Sequence, residues 1–236
     1  MAGAALPGWH GKLPVLGDFT SRRLDPAFVE AWDGWLAAGL HALRARDAAG
    51  WLAAYLASPS WRFLLLPGAV PGLTGPLSRQ AWVGVLMPSV DRVGRYFPFT
   101  LALPIAALPA AAPAMQRLWH WLARLDALAI DALQDDWTID RVEQELARLG
   151  QLELDSRPEP LLSALPAVPA AGALVEWVLP DGAEVAAALE AVARAQWSTQ
   201  SRELCFWYGS PEGQSPRLLM SRGLPSSATF STLLGS

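Results

Sequence analysis

The sequence predicts an α+β fold, in which a central antiparallel or mixed sheet is flanked by helices in a layered sandwich. Helical periodicity and short β-rich runs occupy separate blocks of the chain instead of alternating strictly, and the β-rich runs follow one another closely enough to be neighbouring strands. Hydrophobic residues make up 52% of the 236 residues, which is enough to bury a sizeable core.

The composition narrows the class of protein. A net charge of −4 supplies no positive field for a phosphate backbone, so we expect no nucleic-acid partner. The single cysteine, Cys205, excludes an internal disulfide, suits a reducing compartment and is expected in the core. The first residues lack the basic and apolar regions of a signal peptide, and Pro104, Pro109 and Pro113 interrupt the apolar stretch 100–115. We therefore expect a cytoplasmic protein that does not insert into a membrane.

The first helix is predicted to begin at Asp25, whose side chain can cap it, with Pro26 in the first turn. Apolar residues then recur at steps of three and four as far as Leu43, which predicts one buried stripe. A second helix is predicted over 47–56. It ends before Pro59, because the residue preceding a proline is disfavoured in the helical conformation.

Three β-rich runs separated by Gly-rich and Pro-rich segments predict neighbouring strands at 61–66, 81–87 and 97–103. Apolar residues at helical spacing then predict helices at 113–133 and 138–149. We expect these two helices to pack against the strands.

Composition divides the chain into three parts. Residues 1–150 form the predicted N-terminal core domain. Residues 151–172 lose periodicity and contain several prolines, which predicts a surface connection. Residues 173–236 predict a C-terminal α/β extension packed on the same core. Its predicted strands are 174–179, 204–208 and 217–220, and its predicted helices are 183–196 and 227–234.

Residues suited to catalysis are scarce. The histidines His10, His41 and His120 lack a second ligand at metal-binding spacing, and one cysteine cannot build a thiolate zinc site. The sequence also lacks the G-x-S-x-G nucleophile elbow, a phosphate-binding loop ending in Lys-Ser or Lys-Thr, and a strand-linked G-x-G-x-x-G. We therefore predict a protein that is not an enzyme and that needs no cofactor or metal.

Two segments, 11–23 and 88–98, combine charged with aromatic residues in apolar surroundings. Arginine binds carboxylates or phosphates bidentately, and Arg beside Trp or Tyr is typical of binding hot spots. The alternative is structural: Asp18 and Asp91 pair with nearby arginines and hold turns in place. The candidate partner-binding residues in or near these segments are Lys12, Asp18, Arg22, Trp32, Trp61, Arg62, Asp91, Arg92, Arg95 and Tyr96.

The same stretches resemble the signature of the TagF family, also called ImpM, whose members are accessory proteins of bacterial type VI secretion. The resemblance is dense over about the first hundred residues and thinner beyond them. The matching stretches are 8–14 (GWHGKLP), 17–19 (GDF), 22–24 (RRL), 28–29 (FV), 32–36 (WDGWL), 58–63 (SPSWRF), 82–86 (WVGVL) and 88–98 (PSVDRVGRYFP).

The resemblance implies a cytoplasmic regulator that represses type VI secretion after translation, in a pathway balanced by a threonine kinase and a phosphatase. It implies that the partner is the forkhead-associated scaffold protein of that system. Some members carry an appended phosphatase domain, which we do not expect here because the chain lacks the several metal-binding aspartates of such a domain. Twelve tryptophans exceed what an ordinary core requires, so we expect some at a contact surface.

Two other functions stay open at this point. In one, Lys12, Asp18, Asp91, Arg92 and Arg95 form a phosphate-handling enzyme site, with aspartate as base and arginine as charge stabiliser. In the other, the chain is a structural component of the secretion apparatus. The sequence leaves the oligomeric state, the order of the strands and the partner-binding surface undetermined.

Overall fold

A computed structural model describes residues 6–105, 112–152, 154, 200–210 and 215–235. It confirms the α+β prediction: a seven-stranded sheet, antiparallel at every pairing, lies between two layers of helix. The strands are β1 (Gly8–Gly11), β2 (Thr20–Arg22), β3 (Trp61–Leu65), β4 (Ala81–Met87), β5 (Phe99–Ile105), β6 (Leu204–Gly209) and β7 (Arg217–Arg222). The helices are α1 (Pro26–Arg46), α2 (Trp51–Ala57), α3 (Ala112–Gln134), α4 (Ile139–Leu149) and α5 (Ser231–Leu234), with a short 3-10 helix at Leu77–Arg79.

The strand order is β2-β1-β5-β4-β3-β6-β7. Strands β3, β4 and β5 form the centre, and β6 pairs with β3 from Trp61↔Gly209 to Leu65↔Cys205. Residues beyond 200 therefore complete the same sheet that the N-terminal strands begin. The predicted connection 151–172, strand 174–179 and helix 183–196 lie wholly or almost wholly outside the described residues, so the division into domains stays a prediction.

Helix α1 begins where the sequence predicts. The Asp25 carboxylate accepts a hydrogen bond from Ala27 N at 2.9 Å, and Pro26 occupies the first turn. The apolar stripe of α1 is buried against one face of the sheet, while α3 and α4 cover the other face. Among the helices described, none combines the length and the hydrophobicity needed to cross a bilayer.

The sequence pattern does not predict β1 and β2. Both are short and contain no run of β-branched residues, so they form through pairing with neighbours instead of through local preference. Gly11, at the end of β1, has a φ of +128°, and a Cβ there would lie 2.2 Å from the carbonyl oxygen of Pro98. Only glycine allows this close approach of β1 to the chain that leads into β5.

Three predicted boundaries shift for local reasons. The strand predicted at 97–103 begins at Phe99, because the Phe97 N–H donates to Ser89 O in a loop. Helix α2 begins at Trp51, because residues 48–50 form a turn in which the N–H groups of Ala49 and Gly50 donate to the Asp47 carboxylate. The last predicted helix, 227–234, is helical only in α5 and is preceded by a turn.

The described tryptophans belong to the interior. Trp9, Trp32, Trp61, Trp82, Trp121 and Trp207 are buried, and the other four are half-buried. Several indole N–H groups connect distant segments: Trp61 Nε1 donates to Leu233 O at 2.8 Å, and Trp35 Nε1 donates to Pro225 O at 2.7 Å. The buried rings fill the space between helix and sheet, and the expectation that some tryptophans lie at a contact surface stays a prediction for the half-buried ones.

Two glycines of α1 give a matched test of the packing between this helix and the C-terminal segment. A Cβ at Gly39 would lie 2.3 Å from the buried Phe230 ring, whereas Gly34 has open space around it. We expect Gly34→Ala to stabilise the fold by about 0.5–1 kcal/mol through helix propensity. We expect Gly39→Ala to destabilise it by about 1–3 kcal/mol through overpacking. Urea unfolding measures both, and equal effects would contradict the contact with Phe230.

Cys205 lies in the core, as predicted, and is fully buried. Burial raises the pKa of its thiol to about 12. Because only the thiolate is nucleophilic, we expect dithiobis-nitrobenzoate to react with the native protein far more slowly than with the denatured protein. Equal rates in the two states would show that the thiol is accessible.

Candidate partner-binding site

The two charged and aromatic segments of the sequence meet at one end of the sheet, where β1 and β4 end and β5 begins. The backbone N–H of Arg92 donates to Leu16 O at 2.9 Å, and Ser89 Oγ donates to Lys12 O at 2.7 Å. We refer to residues 12–19 and 88–97 together as the loop pair. These contacts join two loops that are far apart in the chain into one surface.

A buried ion pair holds the loop pair together. Lys12 Nζ lies 2.5 Å from Asp91 Oδ2, and each residue is only 3% exposed. Arg95 Nε donates to the same carboxylate oxygen at 2.7 Å. The backbone N–H groups of Val93 and Arg95 donate to Asp91 Oδ1 at 3.0 and 2.8 Å. The carboxylate is therefore occupied by donors on both oxygens.

These contacts keep Asp91 ionised. Burial alone raises the pKa of the Asp91 carboxyl, but hydrogen bonds from Lys12, Arg95 and Val93 outweigh burial and hold the pKa well below the usual aspartate range. A carboxylate with a lowered pKa and occupied oxygens is a poor general base. For Asp91 the contacts therefore favour the structural alternative. The described part of the chain also contains no cluster of three or more His, Cys, Asp or Glu that could hold a metal ion.

Helix α2 fastens the second loop through Tyr55. The Tyr55 hydroxyl donates to Ser89 O at 3.0 Å and accepts from Ser89 N at 2.8 Å. Burial raises the pKa of the Tyr55 hydroxyl, so it stays protonated and can donate. Tyr96, from the same loop, packs edge-on against Tyr55 and Trp51. The loop backbone is thereby fixed to the helical layer.

A recess of about 440 Å³ opens beside the loop pair. Phe19 and Phe97 meet edge to face within it at 4.8 Å between ring centroids, and Lys12 Nζ lies 4.5 Å from the Phe19 ring. At the rim, the side chain of Arg95 is 54% exposed. The exposed Arg44 lies 4.3 Å above the Trp51 ring. The residues that line the recess are Lys12, Phe19, Arg44, Gly94, Arg95, Tyr96 and Phe97.

The structure brings six of the sequence-predicted site residues into the loop pair: Lys12, Asp18, Asp91, Arg92, Arg95 and Tyr96. Asp18 is exposed and accepts from Phe19 N at 2.8 Å, and within the described residues it forms no ion pair with an arginine. Arg92 is also exposed, and its guanidinium makes no hydrogen bond or ion pair with the residues that the structure describes. The backbone of Arg92 is held while its side chain is available.

The other four predicted residues lie elsewhere. Trp32 and Trp61 are completely buried, so neither ring offers surface to a partner. Arg62 follows Trp61 on β3 and therefore points to the opposite face of the sheet, where it pairs with Asp126 at 3.2 Å. Arg22 is exposed on β2, outside the loop pair. Their positions in the family signature do not bring them to this surface.

Arg44 lines the recess and was not among the candidates predicted from the sequence. It lies in the last turns of α1, where a basic residue is favoured by the helix dipole, and the sequence contains no further signal. Only the packing of α1 beside the second loop places its guanidinium at the recess.

Comparison with known proteins agrees with this architecture. A model of the TagF N-terminal domain, described as type VI secretion system-associated, matches residues 8–149. The crystal structure of PA0076 from Pseudomonas aeruginosa PAO1, at 2.05 Å resolution, is similar with a TM-score of 0.69 and 33% identity, covering 97% of this chain and 93% of that one. A comparison with curated proteins finds no match. The fold is that of a type VI secretion system-associated protein. The chain belongs to the TagF family.

The Lys12–Asp91 pair makes a testable contribution to stability. Asp91→Asn removes the charge that balances buried Lys12, so we expect a lower melting temperature at neutral pH. Because the folded pKa of Asp91 is lowered, its stabilisation is complete above the unfolded pKa of about 3.9 and is lost as the pH falls toward the folded pKa. The difference in melting temperature between wild type and variant should therefore shrink below about pH 4.

Asp18→Asn is the matched control for this measurement, because Asp18 is exposed and accepts only a backbone hydrogen bond. We expect it to leave the melting temperature nearly unchanged at every pH. A difference for Asp91→Asn that stayed constant with pH would show that the charge of Asp91 does not stabilise the fold.

Proposed function

We propose that this chain represses type VI secretion after translation by binding the forkhead-associated scaffold protein of the system in the cytoplasm. The observation that carries the proposal is the exposed arginine surface of the loop pair, which the buried Lys12–Asp91 pair holds in one conformation. Family membership supplies the type VI secretion context.

The loop pair has the composition of a protein-binding surface. Val93 is 62% exposed and Phe19 is 44% exposed, and both are among the few large hydrophobic side chains that the described surface exposes. Val93 lies in the same loop as the exposed Arg92 and Arg95, and Phe19 lies in the other loop of the pair. Apolar contacts next to arginines are typical of interface hot spots, and a preformed backbone reduces the entropy lost on binding.

The same geometry supports binding over the alternative of a phosphate-handling enzyme. That alternative needs a free aspartate base, but Asp91 is occupied by Lys12, Arg95 and backbone donors and has a lowered pKa. Asp18 holds the backbone N–H of Phe19. Among the residues that the structure describes, no specific contact favours the other alternative, a structural component of the secretion apparatus.

Binding of the scaffold protein is sufficient to explain repression. A scaffold protein held by this surface is withheld from the assembly steps that it supports, and no chemical step on the scaffold is required. An anchor residue at such an interface is worth about 2 kcal/mol, or about thirtyfold in affinity, so a few anchors suffice for stable binding.

Arg92 provides the sharpest test, because its guanidinium makes no hydrogen bond or ion pair with the described residues, whereas Arg95 also holds Asp91 and Gly17 O. We expect Arg92→Ala to weaken binding of the purified scaffold protein by about tenfold to thirtyfold, measured by isothermal titration calorimetry. The melting temperature should not change. Arg148→Ala on α4 is the control, because Arg148 is also exposed, lies outside the loop pair and pairs with Glu145 of its own helix.

The same variants test repression in cells. Deleting the gene should raise secretion of a type VI substrate, and the Arg148→Ala protein should restore repression while the Arg92→Ala protein should not. Scaffold binding that is unchanged by Arg92→Ala would remove the loop pair as the interface. No binding of scaffold by the wild-type protein would refute the proposed partner.

A further inference from the structure

The recess beside the loop pair has its own chemistry. We propose that it binds the carboxylate of a glutamate or aspartate in an acidic segment of a protein partner, between the guanidinium groups of Arg44 and Arg95. The inference deepens the proposed function and rests on it in one respect, that the acidic segment belongs to the scaffold protein.

The charge of the recess favours an anionic ligand. Three cations line the recess, Lys12, Arg44 and Arg95. Within the described residues, Asp91 is the one carboxylate ion-paired with any of them, through Lys12 and Arg95. The recess therefore keeps an excess of positive charge on a chain whose formal net charge is −4. This local excess is complementary to an anionic side chain.

Contacts with neighbouring residues hold both guanidinium groups in place. Arg95 Nε donates to Asp91, and one terminal nitrogen donates to Gly17 O, which leaves the other terminal nitrogen for a ligand. Arg44 is stacked over Trp51, which leaves the N–H groups at its edge available. The free edge of Arg44 can bind a carboxylate bidentately, and the remaining terminal nitrogen of Arg95 adds one more donor. Groups that are already held lose little entropy on binding.

The hydrogen-bond donors of the recess suit a carboxylate better than a phosphate. Phosphate sites in proteins usually add several backbone N–H donors to their cations. Here the N–H groups of Val93, Gly94 and Arg95 all donate to Asp91, so the second loop has none to offer at this point. The two arginine side chains are therefore the main donors that the recess offers, because Lys12 Nζ already donates to Asp91.

The guanidinium groups of the recess have apolar surroundings. The rings of Phe19, Tyr96 and Phe97 line the recess, so they exclude water from a bound carboxylate and strengthen its attraction to the arginines. The exposed faces of Phe19 and Val93 continue the surface outward and can pack apolar residues that flank the acidic one. An acidic segment of a protein supplies both parts.

The test uses three capped peptides of one sequence in which leucines flank two central positions: two glutamates, two glutamines, or phosphothreonine and glutamine. Isothermal titration calorimetry with the purified chain measures each. We expect the glutamate peptide to bind, the glutamine peptide to bind at least tenfold more weakly, and added salt to weaken the glutamate complex. Equal binding of the first two peptides, or tighter binding of the phosphothreonine peptide, would overturn the proposal.

Arg44→Gln is the diagnostic variant, and Arg46→Gln is its matched control on the same helix, because Arg46 contacts Ser231 Oγ and does not line the recess. We expect a loss of about tenfold in affinity for the glutamate peptide with Arg44→Gln and none with Arg46→Gln, at unchanged melting temperatures. Equal losses of affinity in the two variants would show that overall surface charge, and not the recess, determines binding of the peptide.

The scaffold protein separates this inference from the proposed function. Scaffold binding that Arg44→Gln leaves intact would overturn the recess as its docking site, while the proposed partner would stand. Binding of the glutamate peptide without binding of the scaffold would keep the chemistry of the recess and refute the partner.

Discussion

Both faces of the seven-stranded sheet must be kept from water, and the rest of the structure depends on how this is done. One face is covered by α1 with large aromatic rings, and the other by α3 and α4 with mostly aliphatic side chains. Two indoles do more than fill space, because Trp35 and Trp61 bind carbonyl groups near the C-terminus. The C-terminal residues are therefore part of the aromatic layer between α1 and the sheet.

At the end of that sheet a second constraint operates, the burial of charge. Lys12 and Asp91 are too deeply buried to remain charged alone, so each requires the other. Their pairing draws the first loop against the second, and Arg95 and Tyr55 complete the hydrogen bonds that the loops need. The result is a loop backbone tied by hydrogen bonds, from which the side chains of Arg92 and Arg95 extend toward solvent. Stability and recognition are thus assigned to different residues of the same short segments.

The stretches that carry the TagF signature contain both residues that stabilise the fold and residues that are exposed for recognition. Trp32, Trp61 and Asp91 serve the fold, since they are buried and their polar groups are bonded internally. Arg92 and Val93, which directly follow Asp91, are exposed. A family signature alone cannot separate the two groups, because both are specified by the same stretch of chain. Burial separates them, and it moves the candidate site away from the tryptophans and toward the arginines.

Signals that act between residues a few positions apart can be read from the sequence alone. They determined the cap of α1 at Asp25, the apolar stripe that follows, the central strands, the burial of Cys205 and the charged segments on both loops. Tertiary structure alone decided the rest. Strand β1 forms because β5 offers backbone partners and β2 forms because β1 does. Arg62 lies away from the loop pair because it pairs with Asp126 on α3, and Arg44 reaches the recess because α1 packs beside a loop far along the chain. Each of these depends on contacts between residues remote in sequence, which no local pattern encodes.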